Sequence, residues 1–276
     1  MKNIQFAAFA DEAGRPLETQ IAALQRNNIP YLEIRFVGDK NVSELTTDEA
    51  KEIRKKLDDG GIKTWSIGSP TGKIALGDPF APHLDAFKRQ LEIADILGAT
   101  RYRLFSFYEA GENLNAVAEK LNRMLDEAEG SGVVLCHENE KKIYGDTDVR
   151  CEKLLKAIPR LRAVYDPANF IQCGVETLGA WERLAPYVDY MHIKDCGADG
   201  KVLLPGKGIG NLRELLRRYM AQGGGTVTLE PHLTRFIGLE KLERGDIKDP
   251  SQIFPDGNAA FDAAASALRA IVAEIE

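Results

Sequence analysis

The sequence alternates between short strand-like runs and longer amphipathic helical runs along its whole length. Such alternation predicts parallel strands that are joined by helical crossovers. Eight strand-like runs can be recognised: 4–8, 31–36, 63–68, 101–107, 133–138, 162–166, 188–194 and 226–230. Eight parallel strands with intervening helices close most naturally into a barrel, so we predict an α/β fold, a single TIM (β/α)8 barrel.

The helical runs carry recognisable end signals. Thr46 and Glu49 have the spacing of a capping box at the start of the second helix. The run 84–97 places an apolar residue at every third or fourth position, and Gly98 follows it as a left-handed stop. The final run, 261–275, repeats this apolar stripe and would complete the outer ring of helices.

Length and composition favour one domain over residues 1–276. The 276 residues would suffice for two small domains, but α/β barrels reach this length as one, and no linker interrupts the pattern. With 44% hydrophobic and 28% charged residues, the chain can bury a large core and lacks the composition of a disordered protein.

The charge balance and the apolar segments limit the partners. A net charge of -6 argues against nucleic-acid binding, which needs clustered Lys and Arg. No apolar stretch approaches the roughly 18 residues that span a bilayer, and acidic residues appear too early for a secretory signal. The 4 cysteines form no C-x-x-C pair, so we expect reduced thiols. These features predict a cytoplasmic protein.

Four consecutive strand-like runs end in an acidic or imidazole side chain: Glu138, Asp166, His192 and Glu230. Strand side chains alternate between two faces, and the apolar and polar parity of each run places these four on the inward face. Four adjacent strands would then deliver one donor each to the same mouth of the barrel. Burying such groups is costly unless something compensates them, and one shared cation would compensate all four.

Three carboxylates and one imidazole are a mostly oxygen donor set. Such a set suits Mn²⁺, Mg²⁺ or Co²⁺, with Zn²⁺ as an alternative. Each acid could instead be satisfied separately by an arginine or a backbone cap. Glu140 shares the parity of Glu138 and competes with it as a ligand, although it lies further into the loop.

Other polar residues are expected at the same mouth. Glu33 and Arg35 share parity at the end of the second strand, and Lys194 lies two residues beyond His192. Each could bind a polar group of a substrate, although an internal ion pair between Glu33 and Arg35 would explain those two residues without a ligand. The long connections 196–210 and 233–258 follow the strands of His192 and Glu230, so they should shape a pocket. The second connection could equally contact another subunit, which leaves a homo-oligomer open.

Several motifs occur in a characteristic order: "HENE", "YDPAN", "MHIKD", "PGKGIGNL" and "TLEPH", after an opening "FAAFADEAG" and "YLEIRF". In this order they resemble the xylose-isomerase-like TIM-barrel superfamily of sugar isomerases and epimerases, over essentially the whole chain. The resemblance implies that Glu138, Asp166, His192 and Glu230 hold a divalent metal ion. Two positions depart from the ketose 3-epimerases of this group, which commonly have a histidine at the position of Asn169 and a "GEG" where this chain has Gly206, Lys207 and Gly208.

The resemblance implies a metal-dependent isomerase or epimerase of a sugar or sugar phosphate, with a small carbohydrate as its partner. Glu138 and Glu230 would exchange a proton with the substrate through an enediolate. Asn169 would contact the substrate, and Lys207, on a glycine-flanked loop, could bind a phosphate or carboxylate of the substrate or could equally be a solvated lysine. A dehydratase of an inositol-derived ketone or a hydroxy-acid isomerase would use the same metal, and a noncatalytic sugar-binding protein is a further alternative. An abasic-site endonuclease needs more histidines than the 4 in this chain.

Overall fold

Eight parallel strands form a closed barrel in the computed structural model, which describes residues 4–234 and 254–275. Neighbouring strands follow one another in chain order, and the last pairs with the first, Gln5 opposite Thr226. The strands are β1 (Gln5–Ala8), β2 (Tyr31–Ile34), β3 (Lys63–Gly68), β4 (Arg101–Leu104), β5 (Val134–Glu138), β6 (Arg162–Tyr165), β7 (Val188–Ile193) and β8 (Thr226–Leu229). The predicted TIM barrel is confirmed.

Helices surround this barrel: α1 (Leu17–Arg26), α2 (Thr47–Asp59), α3 (Phe80–Leu97), α4 (Leu114–Glu127), α5 (Asp148–Ala157), α6 (Pro167–Gln172), α7 (Thr177–Leu184), α8 (Leu212–Ala221) and α9 (Gly257–Ile275). The capping box of Thr46 and Glu49 is present at α2. Gly98 ends α3 in the left-handed region with φ 72°. Within the described residues, no helix is long and apolar enough to cross a bilayer.

The core of the described residues consists of one large cluster of buried apolar residues and two small ones, of which one is Phe105, Tyr108 and Ile143. Most buried apolar residues pack between the sheet and the helices. The other small cluster, of Cys136, Val164 and Tyr190, lies on strands β5, β6 and β7, with Val134 packed against it. These are residues that the parity of the strands predicted to point inward, so their cluster fills the barrel interior below the carboxyl ends of the strands.

Two long connections follow β7 and β8. The first contains a small hairpin in which Asp195–Cys196 pairs with Val202–Leu203. The second, predicted to shape the pocket over residues 233–258, lies largely outside the described residues.

Candidate active site

The four predicted donors meet at the mouth of the barrel. One ligand atom from each of Glu138, Asp166, His192 and Glu230 lies within 4.8 Å of the other three, and all four residues are buried. They converge because each lies at or next to the carboxyl end of its strand, and the four strands are consecutive neighbours in the barrel. Their role as metal ligands stays a prediction.

The imidazole of His192 is oriented by a carboxylate behind it. Nδ1 lies 3.2 Å from Oε1 of Glu138 and 3.4 Å from Oε2 of Glu230, whereas Nε2 lies 3.3 Å from Oε2 of Glu33. Tyr190 holds Glu33 in turn, since its hydroxyl donates to Oε1 at 2.8 Å. Histidines that bind metals usually have such a carboxylate on the second nitrogen. The structure therefore favours an orienting role for Glu33 over the predicted substrate contact.

The ionisation of His192 depends on the same neighbours. Burial lowers the pKa of His192, but Glu138 and Glu33 outweigh burial and raise it well above its usual value. The surrounding carboxylates thus favour a positive charge at the position of the imidazole. A proton can supply that charge, and a metal ion on Nδ1 would supply it equally well.

Asp166 has one oxygen engaged by the backbone and one facing a cation. It is the N-cap of α6, and its Oδ1 accepts from the backbone N–H of Asn169 at 2.9 Å. Its Oδ2 makes no normal hydrogen bond among the described residues, although the ammonium of Lys194 lies 2.9 Å away. Burial raises the pKa of Asp166 to about 6, and Lys194 offsets part of that increase. The alternative of a backbone cap is therefore correct for one oxygen only.

Lys194 lies within the donor set itself. Its Nζ is 2.9 Å from Oδ2 of Asp166 and 3.2 Å from Oε2 of Glu230, and its side chain is buried. Burial opposes the charge, but Asp166 and Glu230 raise the pKa of Lys194 well above its ordinary value. Lys194 is thus a built-in cation between two of the four predicted ligands.

Arg35 holds the other side of Glu230. Its guanidinium donates to Oδ2 of Asp11 at 3.0 Å, to Oε1 of Glu230 at 2.9 Å and to Oε1 of Glu12 at 3.2 Å. His232 closes this group, because its backbone N–H donates to Oε2 of Glu12 at 2.6 Å and its Nε2 lies 3.3 Å from Oε1 of Glu230. Glu12, Glu230 and His232 could form a second metal-like triad. The Arg35 guanidinium already compensates its two carboxylates.

Two further residues hold Glu138. Nη1 of Arg103 donates to Oε2 at 2.6 Å, and Nδ2 of Asn169 donates to Oε1 at 3.1 Å. Burial would raise the pKa of Glu138, but His192 and Arg103 outweigh it and lower the pKa to about 2. Asn169 thus positions a predicted ligand. Arg103 was not among the predicted site residues, and a charged residue in the middle of a buried strand was the signal for it.

The glycine-rich loop encloses Asp195. The backbone N–H groups of Gly206, Gly208 and Gly210 donate to its carboxylate at 2.9, 3.0 and 2.9 Å. A Cβ at Gly208 would lie 2.3 Å from Oδ1 of Asp195, which explains why that position has glycine. These amides are therefore not available to a phosphate. Lys207 is exposed and does not line the central cavity, so its predicted substrate contact gains no support.

The sequence of residues 21–264 matches a family model described as the Xylose isomerase-like TIM barrel. The chain belongs to this family. A search of curated proteins finds no significant match.

Solved structures of the xylose isomerase-like fold resemble the whole chain. A D-psicose 3-epimerase determined in the presence of D-fructose has a TM-score of 0.76 at 16% identity, with 99% of each chain covered. The IOLI protein, determined with a binding zinc atom, has a TM-score of 0.75 at 15% identity, with 99% of each chain covered. The probable 3-DHS dehydratase AsbF from Bacillus anthracis has a TM-score of 0.72 at 13% identity, and the match covers 98% of this chain and 99% of the other. At such identities the likeness establishes the fold alone.

The buried charges of this xylose isomerase-like barrel do not balance. Among the described residues at the mouth, seven buried carboxylates face five lysine and arginine cations, an excess of two negative charges that a proton on His192 reduces to one. A divalent cation would remove this excess, so the residues present fit the metal ion. The carboxylates are Asp11, Glu12, Glu33, Glu138, Glu140, Asp166 and Glu230, and the cations are Arg35, Lys73, Arg103, Lys141 and Lys194.

The cavity at this mouth has an entirely ionisable lining within the part of the chain that the structure describes. Four basic residues, three acids and one histidine form its walls: Arg35, Lys73, Arg103, Lys194, Glu138, Glu140, Glu230 and His232. A neutral apolar ligand would find no matching surface here. Its accessible volume is about 10 Å³, roughly the space of one water molecule, and its lining is suited to an ion or to an oxygen-bearing group of a ligand.

Proposed function

We propose that the protein is a divalent-metal-dependent isomerase or epimerase of a sugar or a related polyhydroxy carbonyl compound. The observation that carries the proposal is the convergence of Glu138, Asp166, His192 and Glu230, whose ligand atoms lie within 4.8 Å of one another at a site where carboxylates outnumber lysines and arginines by two. The family membership and the metal-containing neighbour support this reading.

In this proposal the four residues hold Mn²⁺, Mg²⁺ or Co²⁺, with Zn²⁺ as the alternative. The bound ion would supply Lewis-acid stabilisation of the negative charge that develops on the substrate carbonyl and hydroxyl oxygens. Glu33 fixes the orientation of the His192 ring, and Arg103 and Asn169 fix Glu138. The protein therefore holds its donors in place before the substrate arrives, as preorganised catalysis requires.

Glu138 and Glu230 are the proposed proton carriers. The Nδ1 edge of His192 lies against both carboxylates, so they face a common space from different strands. Their neighbours keep both ionised: burial opposes the charge, but it is outweighed by His192 and Arg103 at Glu138 and by Lys194 and His232 at Glu230, and each pKa is lowered. An ionised carboxylate can accept the proton that leaves the substrate carbon, and the other carboxyl group can return one.

Solvent exchange tests the proposal. With Mn²⁺ present, the protein should catalyse the incorporation of deuterium from D₂O into a sugar substrate, at a carbon next to its carbonyl group. Glu230→Gln should abolish the exchange, whereas Glu214→Gln, at a surface glutamate that pairs with Arg217, should leave it unchanged. Exchange that persists in Glu230→Gln would show that Glu230 is not the base.

A dehydratase is the second candidate, and Asn169 favours it. The resemblance to ketose 3-epimerases leads one to expect a histidine at this position, and here an asparagine bonds Glu138 instead. Loss of water from a hydroxy ketone would begin with the same proton removal. Product analysis separates the two reactions, because dehydration lowers the product mass by one water and isomerisation leaves it unchanged.

A further inference from the structure

Arg103, which lines the cavity, has two buried nitrogen donors that no described residue uses. Its side chain is buried, and Nη1 donates to Glu138, but Nε and Nη2 have no hydrogen-bond partner among the described residues. A buried charged donor without an acceptor is costly, so native proteins seldom leave one without a purpose. Because Arg103 lines the cavity, a ligand there could provide the missing acceptors.

The arrangement of these two donors selects a particular kind of acceptor. Nε–H and one N–H of Nη2 point the same way from the planar guanidinium and form a two-pronged fork. Such a fork matches the two oxygens of a carboxylate, or two oxygens of a phosphate, with parallel hydrogen bonds. A single sugar hydroxyl can accept from only one prong and would leave the other unpaired.

Aromatic stacking keeps the fork in place. The guanidinium of Arg103 lies over the ring of Phe105 at 4.7 Å from its centroid, and the Nζ of Lys73 lies over the same ring at 4.3 Å. Lys73 also lines the cavity and pairs with Glu140 at 3.0 Å. Two cations that share one ring concentrate positive charge on this wall of the cavity, where each also pairs with one carboxylate, Glu138 or Glu140.

We propose that Arg103, with Lys73 beside it, binds a carboxylate group of the substrate, so that the substrate is a polyhydroxy carbonyl acid rather than a neutral sugar. A carboxylate fits better than a phosphate, because Glu138, Glu140 and Glu230 line the same cavity and would repel a dianion more strongly. This inference rests on the proposed function, since it names the substrate class of the same site.

Binding of matched inert probes tests the inference. One set is glycerate, glycerol and glycerol 3-phosphate, and a longer set is gluconate, glucitol and glucitol 6-phosphate. Calorimetric titration of the metal-free and the Mn²⁺-loaded protein should show the acid of a set binding about tenfold more tightly than its polyol, as expected for a charge-assisted pair of hydrogen bonds. If neither acid exceeds its polyol, or if a phosphate exceeds the acid, the assignment is overturned.

Substitution of the fork gives the second measurement. Arg103→Lys keeps a positive charge beside Glu138 but has no fork, so acid binding should weaken about tenfold and polyol binding should not change. Arg101→Lys is the matched control, because Arg101 lies on the same strand and pairs with Asp189. Acid binding that is unchanged in Arg103→Lys would overturn the inference. The preference of the unsubstituted protein stands as a test even if this variant fails to fold.

The outcomes separate this inference from the proposed function. If neither a neutral ketose nor a polyhydroxy keto acid shows deuterium exchange but gluconate binds through Arg103, the acid site stands and the proposed reaction is wrong. If neutral ketoses exchange and Arg103→Lys leaves the acid-to-polyol preference unchanged, the proposed reaction stands and the acid site is wrong.

Discussion

The ammonium nitrogen of Lys194 lies 2.9 Å from Oδ2 of Asp166, inside the group of side chains that would hold a metal ion. Lysine and a divalent ion cannot both take this oxygen without repelling each other. A bound ion would therefore displace the ammonium from Asp166 and Glu230. The flexible four-carbon stem of lysine permits such a movement.

This relationship predicts that Lys194 weakens metal binding. Lys194→Met keeps an unbranched side chain of nearly the same length and removes its charge, so the dissociation constant for Mn²⁺ should fall by about tenfold or more, given the Coulomb energy of close charges. Calorimetric titration of the metal-free protein measures the change. Lys201→Met, at an exposed lysine, is the control. An unchanged or weaker affinity in Lys194→Met would contradict this account of the site.

Glu33 is predicted to support metal binding without being a ligand. Its Oε2 lies 3.3 Å from Nε2 of His192 and fixes the direction of Nδ1. Glu33→Gln should raise the dissociation constant for Mn²⁺ about 10- to 100-fold, the usual effect of removing such an outer partner. Calorimetric titration measures this, and the thermal unfolding midpoint shows whether the fold is intact. If the variant is folded and binds Mn²⁺ with full affinity, Glu33 has no orienting role.

The burial of His137 should account for part of the pH dependence of the free energy of unfolding. Burial lowers its pKa from 6.5 to about 4, and its Nε2 lies 2.9 Å from Oγ of Ser106. His137 therefore takes up a proton more readily in the unfolded chain than in the folded protein. Its contribution to the free energy of unfolding is complete above pH 6.5 and is lost as the pH falls from 6.5 towards 4. Between pH 7.5 and pH 5 the loss should be about 2 kcal/mol.

Urea unfolding of the parent protein and of His137→Gln at these two pH values tests this prediction. The variant should lose about 2 kcal/mol less than the parent does over the interval. Equal losses in both proteins would mean that His137 titrates normally in the folded state.

The loop around Asp195 predicts that alanine destabilises the protein at one glycine and not at another. A Cβ at Gly208 would lie 2.3 Å from Oδ1 of Asp195 and from the carbonyl oxygen of Cys196, whereas a Cβ at Gly77 would meet nothing within 4 Å. Gly208→Ala should lower the free energy of unfolding by about 2 kcal/mol, a usual result of overpacking. Gly77→Ala should change it little. Denaturant titration of both variants decides the matter, and equal stabilities would show that the loop does not need its close approach to Asp195.

The sequence was sufficient for the barrel and for the meeting of the four donors. Strand parity identified Glu138, Asp166 and His192 because side chains alternate strictly along a strand and because each of these residues lies at or near the end of an apolar run. The ends of the strands were less predictable: the fourth run was expected to reach residue 107, but β4 ends at Leu104. Beyond Leu104 the chain turns into a loop, and Phe107 has φ 65°.

The partners of these donors could not be predicted, because they depend on closure of the barrel. Glu33 meets His192 across 159 residues of sequence, and parity alone could not distinguish a substrate contact from this one. Arg103 reaches Glu138 because β4 and β5 pair with Arg103 opposite Cys136. The glycines near Lys207 resembled a phosphate-binding loop, but the carboxylate that takes up their amides lies 11 residues before Gly206.

Metal binding is the most direct test of the central claim. Equilibrium dialysis of the metal-free protein against Mn²⁺ should give about one ion per chain. Asp166→Asn should abolish this binding, and Glu140→Gln should retain it, since Glu140 pairs with Lys73 and lies outside the donor set. Failure of the parent protein to bind Mn²⁺, or full binding by Asp166→Asn, would contradict the account.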